Sequence, residues 1–148
     1  MTNNITRLNI DSSGRVTKPY QPAFQASGPG STQAVTGGND ITFWNTTVYN
    51  VGSHFSLSTG RFTAPVAGIY CFVVILFWNN TTGYRRVNIK VNGSSASYYQ
   101  NITAPADETS ACATFITSLS AGDYVAASTQ SNGNLWGAHS SFTGYLLG

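Results

Sequence analysis

Gly68-Ile-Tyr-Cys-Phe-Val-Val-Ile-Leu-Phe-Trp78 decides the fold. Ten apolar residues follow the glycine without a break, in a chain otherwise rich in Ser, Thr, Asn and Gly. A spanning helix needs about 20 such residues, so the run is too short to cross a membrane. Its β-branched and aromatic side chains, set between Pro65–Gly68 and Asn79-Asn80-Thr-Thr-Gly83, predict one strand. A strand with one buried face alternates apolar with polar residues; here both sets are apolar. Tyr70, Phe72, Val74, Leu76 and Trp78 share one face, and Ile69, Cys71, Val73, Ile75 and Phe77 the other. No helix period elsewhere offers a cover for the second face, so it needs a partner surface. Another copy of the same chain is the partner expected.

Working outward, strand signals recur at short intervals. Ala23–Ala26, Ile41–Asn45, Phe55–Leu57 and Arg61–Thr63 precede the long run; Arg86–Val91, Ala111–Leu119, Tyr124–Ser128 and Phe142–Leu147 follow it. Val87, Ile89 and Val91 point inward, and Asn92-Gly93 closes a hairpin. Ala113, Phe115 and Leu119 share a face, Tyr98-Tyr99 starts a return strand, and Phe142–Leu147 lies beside the long run. Ser31–Asp40 and Ala104–Thr109 read as loops. Eight to ten short strands at this spacing predict an all-β sandwich of jelly-roll type. Residues 1–20, poor in core-forming side chains, read as an arm or stem attached to a head over 21–148.

At 148 residues the chain is long enough for one real core. Charged residues are only 8% and the net charge is +2, with Arg85-Arg86 the one adjacent basic pair. That is no stripe for nucleic acid, and the pair reads as a solvated strand end. Cys71 and Cys112 lack metal or redox spacing and read as two buried free thiols, with a bridge between them as the alternative. Met1 is followed by polar Thr-Asn-Asn-Ile-Thr, without a basic or apolar leader region. The expectation is a signal removed beforehand or a route that avoids secretion. Asn-x-Ser/Thr triplets at Asn4, Asn45, Asn79, Asn80, Asn92 and Asn101 are read as chance in so Asn- and Thr-rich a chain.

The intervals among Trp44, Asn50, Phe55, Phe62, Gly68, Tyr70 and Phe72 resemble those of the globular head of complement component one q, in the tumour-necrosis-factor-like superfamily. Phe62-Thr-Ala-Pro-Val-Ala-Gly-Ile-Tyr70 is the closest stretch, Leu119-Ser-Ala-Gly-Asp-Tyr-Val125 resembles the family's turn, and Ser140–Leu147 its last strand. Trp44 and Val74 depart from the pattern, both toward other apolar residues. The resemblance spans about residues 22–148 and implies a ten-stranded jelly roll packed as a homotrimer. The lead-in Ile10–Phe24 is similar to segments before such heads in virion proteins of phages and aquatic viruses. Residues 1–22 contain no Gly-x-y repeat of the kind found in the family's usual stalk.

Chemistry is thin. Two histidines, His54 and His139, and five acids give no nucleophile elbow and no ligand spacing, so neither enzyme nor cofactor is expected. Asp107-Glu108 could hold calcium at a trimer apex, as in some relatives, yet one acidic pair supplies few oxygens and a solvated loop is preferred. Asp123 belongs to a turn. Phe55, Phe62, Tyr70, Phe72, Phe115 and Phe142 fit the core. Tyr84, Tyr98, Tyr99 and Trp136 sit in polar surroundings and are the candidate ligand-binding residues; the alternative is that they cap the sandwich or line subunit seams. Cys71, Val73, Ile75, Phe77, Tyr145 and Leu147 are the candidate trimer interface. The function expected is a non-enzymatic trimeric knob on a virion surface, as fibre tip or capsid decoration. It would meet other virion proteins through its arm and a host glycan or protein through its head, with no nucleic acid and no membrane insertion. The alternative is a secreted, lectin-like or immune recognition head.

Overall fold

A computed structural model describes residues 6–79, 83–95, 100–104 and 108–148. The described residues form fifteen strands and one short 3-10 turn at Gly137–His139. Two sheets face each other. The first, seven-stranded sheet runs β4(Thr32–Val35), β14(Gly133–Trp136), β8(Gly68–Asn79), β15(Ser141–Leu146), β3(Ala23–Ser27), β5(Thr46–Val51), with β12(Glu108–Leu119) on the free side of β8. The second, six-stranded sheet runs β10(Ser94–Ser95), β9(Gly83–Val91), β13(Tyr124–Ser128), β7(Arg61–Thr63), β6(Phe55–Ser56), with β11(Gln100–Ala104) also on β9. A separate two-stranded ribbon, β1(Asn9–Ile10) with β2(Val16–Thr17), precedes them. The excess over the expected ten lies largely in two-residue pieces and in the 3-10 turn that divides β14 from β15.

The decisive run is β8, paired along its whole length with β12 and over six residues with β15. Its first face is fully buried: Tyr70, Phe72, Val74, Leu76 and Trp78 all have zero exposure. They meet Phe24, Phe55, Phe62 and Phe142, whose rings lie 4.5–5.9 Å apart in stacked and edge-on pairs. Burying side chains of this size contributes about 1.5–3 kcal/mol each. Gly144 makes the crowding fit, because a Cβ there would stand 2.5 Å from Phe72 and 2.6 Å from Phe24. Val87, Ile89, Ala113, Phe115 and Leu119 are buried as the alternation requires. Asn92 (φ 51°) and Gly93 (φ 81°) both take left-handed conformations, the pair that a two-residue hairpin turn demands.

Several expectations are corrected. Ile41–Asn45 is a crossing between sheets: Ile41 N–H donates to Ala127 O on one sheet (2.8 Å) and Asn45 N–H to Ser27 O on the other (3.1 Å). Its apolar residues Ile41 and Trp44 are buried by passing between the layers. Ser31–Asp40 contains β4, an edge strand held by its ladder to β14, with only Val35 packed against the core. Within Ala104–Thr109 the described residues, Ala104 and Glu108–Thr109, are strand. Arg85 is buried, its guanidinium 5.2 Å from the centre of the Trp78 ring, where a solvated end was expected. Cys71 and Cys112 are free thiols, but only Cys71 is buried; Cys112 points outward from β12. The Tyr98-Tyr99 strand lies outside the described residues.

Candidate functional site

The outer face of the seven-stranded sheet carries the second set of β8 side chains, and its two ends differ. Strand register places Ile116 of β12 opposite Cys71, and Tyr145 of β15 opposite it on the other side. Thr114 and Thr143 flank Val73; Cys112 and Ser141 flank Ile75; Ser110 faces Phe77 and Glu108 faces Asn79. The Gly68 end is therefore apolar and open. Ile69, Ile116, Tyr145, Leu147 and Tyr49 remain 49%, 67%, 39%, 46% and 41% exposed. Hydrogen bonding to the Cys71 thiol pushes the Tyr145 phenol above its ordinary pKa. Of the six interface candidates, Cys71 is covered within its own chain, Val73, Ile75 and Phe77 are half-buried, and Tyr145 and Leu147 are exposed. Ile116 was missed, although the inward alternation of Ala113 and Phe115 points it outward.

At the Asn79 end the face becomes aromatic and polar. Leu135 of β14 pairs with Trp78 and both are buried, so the next residue, Trp136, turns to the outer face beside Phe77. Its 3-10 turn brings His139 edge-on to Phe77, with ring centres 4.9 Å apart and planes at 85°. Trp136 and His139 lie 6.1 Å apart. Ser140 locks the turn, donating to Trp136 O (3.0 Å) and accepting from Phe77 N–H (3.1 Å). Phe77, Asn79, Glu108, Trp136 and His139 line one cleft of about 270 Å³. Thus Trp136, expected in polar surroundings as a candidate ligand-binding residue, stands at the end of a strand, and it shares a cleft with Phe77, assigned from sequence to the interface.

Tyr84, half-exposed on β9, lies apart from that cleft under the Arg86 guanidinium (5.3 Å), which also reaches Asn101 (3.0 Å) and Gln130. Tyr98 and Tyr99 lie outside the described residues. On the second sheet Asp40 is held between Arg61 (2.9 Å) and Lys90 (3.1 Å). Burial raises the Asp40 pKa, but the hydrogen bonds and charges of Arg61 and Lys90 outweigh it and hold the carboxyl below its usual range. Arg61 donates twice to Asp40 while Lys90 also donates to Gly38 O (2.9 Å), and the cluster pins the start of the Ile41–Asn45 crossing. His54 sits edge-on to Phe62, 6.4 Å away. Among the described residues no three His, Cys, Asp or Glu side chains converge as a metal site would require.

The C1q domain family profile matches residues 23–147. The chain belongs to the C1q domain family. Its fold is shared with the globular domain of zebrafish complement 1qA protein, at TM-score 0.69 and 20% identity over 86% of this chain and 98% of that one. It is also shared with Eiger TNF from S. frugiperda, at 0.68 and 14% identity over 86% and 93%. Murine APRIL at pH 5.0 gives 0.65 and 14% over 85% and 98%. No curated protein sequence matches significantly. At these identities the structural likeness carries the jelly roll alone, in agreement with the resemblance read from Trp44 to Phe72.

Proposed function

We propose that the chain is a non-enzymatic recognition head that works as a homotrimer, packed through the outer face of the seven-stranded sheet. The observation that carries this is the open apolar end of that face, where Ile69 of β8, Ile116 of β12, Tyr145 of β15 and Leu147 just past it stand exposed. A sheet face of this kind is a protein-contact surface rather than a water-facing one. The trimer that the family resemblance implies gives it a cover. Three heads on one assembly turn weak single contacts into tight attachment to a multivalent surface.

Family membership favours the recognition head among the settings weighed from sequence. The virion setting, as fibre tip or decoration, rests on the lead-in Ile10–Phe24 alone. In either setting residues 1–20 act as an attachment arm to the head at 21–148. Its ribbon leaves Leu8, Ile10 and Val16 more than half exposed and therefore available to a neighbour. Light scattering on the full chain tests the assembly: three times the 15.7 kDa subunit mass is expected, and a folded monomer at all concentrations would overturn it.

A further inference from the structure

We propose that the cleft between Phe77, Trp136 and His139 is a saccharide site that takes one uncharged pyranose ring. This deepens the recognition-head reading and rests on it. The apolar floor is Phe77, half-buried, with the half-buried Trp136 beside it. Sugars offer an apolar face of C–H groups, which stacks on such rings, and a rim of hydroxyls that demand both donors and acceptors. The cleft supplies both. Among the described residues the Trp136 indole N–H, the His139 imidazole and the Glu108 carboxylate make no hydrogen bond within the chain. A purely apolar ligand would leave them unpaired, which binding penalises.

Size and charge narrow the class. About 270 Å³ falls just below the ~300 Å³ at which drug-sized pockets begin, the scale of a single ring. The cleft has one carboxylate and neither lysine nor arginine, so acidic sugars and phosphates are repelled. The Asp40 cluster on the other sheet is the contrasting case, since its charges are already paired. Position matters too. The cleft lies at the Asn79 end of β8, away from the exposed apolar residues at the Gly68 end. A seam built on the latter leaves the former at its margin.

Three tryptophans make the site directly readable, because Trp44 and Trp78 are buried and only Trp136 reaches the cleft. ¹H–¹⁵N spectra of the full chain would be recorded against methyl pyranosides of glucose, galactose, mannose and their N-acetylated amino forms. At least one glycoside should move the Trp136 indole signal and leave those of Trp44 and Trp78 in place. Trp136→Ala should weaken that glycoside at least tenfold and Glu108→Gln several-fold, with trimer mass and melting temperature unchanged. Silence of the Trp136 signal across the panel in a trimeric protein would overturn the site and leave the head reading standing. Shifts confined to other residues would overturn it as well. So would a response to tetramethylammonium in place of sugars, the mark of a cation cage. Loss of the trimer in Trp136→Ala would make the cleft a subunit seam. A monomeric wild type that still shows the indole shift would instead remove the trimeric head and keep the site.

Discussion

Ile116→Asp separates assembly from folding more cleanly than any other substitution on the sheet face. The side chain is 67% exposed in the single chain and packs on no core residue of the opposite sheet, so the subunit fold does not depend on it. Full burial of an isoleucine contributes about 1.5–3 kcal/mol. Two thirds of that remains unclaimed until another subunit arrives, which is about 1–2 kcal/mol per chain and about 3–6 kcal/mol for three. At about 1.4 kcal/mol per factor of ten, losing it weakens trimer formation by roughly 10²–10⁴. A carboxylate forced into the seam costs several kcal/mol more at each site. Sedimentation velocity at matched micromolar concentrations should therefore find wild type at three subunit masses and Ile116→Asp at one, with the same β-sheet circular dichroism. Thr63→Asp, on an exposed strand position of the other sheet, should leave the trimer intact. An Ile116→Asp trimer that dissociates no more readily than wild type would refute the assignment of this face.

Gly144→Ala places a methyl group 2.5 Å from Phe72 and 2.6 Å from Phe24, an overpacking that should cost about 1–3 kcal/mol and lower the urea midpoint at unchanged slope. The folded pKa of Asp40 is depressed, so its contribution is present above the unfolded value near ~3.9 and is lost as pH falls through the folded one. Asp40→Asn should therefore shrink the acid limb of a stability–pH curve. The limb should not vanish, since Asp11 and Asp123 are lowered in the same direction, chiefly by hydrogen bonds from Arg15 and Asn92. An acid limb unchanged in Asp40→Asn would contradict the pairing with Arg61 and Lys90. In the Ile116→Asp monomer a thiol reagent should label Cys112 rapidly and Cys71 slowly; equal rates would deny the burial of Cys71.

Alternation carried most of what sequence could say. Both faces of β8, the inward set of β9 and β12, and the neighbour relation of β8 and β15 follow from a period of two and from turns such as Asn92-Gly93. Two errors came from letting residue type override that period. Cys112 falls between inward Ala111 and Ala113, so parity points it to solvent whatever the usual burial of cysteine. Arg85 shares the parity of Val87 and Ile89, and its stem can lie inside while the guanidinium covers the Trp78 ring. The crossing at Ile41–Asn45 was hidden for another reason. Apolar residues packed between two layers look like a strand, and only the partners of Ile41 and Asn45, one on each sheet, tell them apart.

The site was less legible because parity assigns a face and not its neighbours. Sequence placed Phe77 on the outer row of β8 and Trp136 in a polar segment far along the chain, and gave them different roles. Their meeting depends on the single register contact of Leu135 with Trp78 and on the turn that Ser140 ties back to Phe77. The same row is bordered by Ile116 and Tyr145 at one end and by Glu108, Trp136 and His139 at the other. Covering the first end gains free energy by removing apolar surface from water, whereas covering the second without matching its indole, imidazole and carboxylate leaves them unpaired. A seam seated on this sheet is therefore favoured at the Gly68 end and penalised toward Asn79, which is why one strand can supply both an interface and a binding cleft.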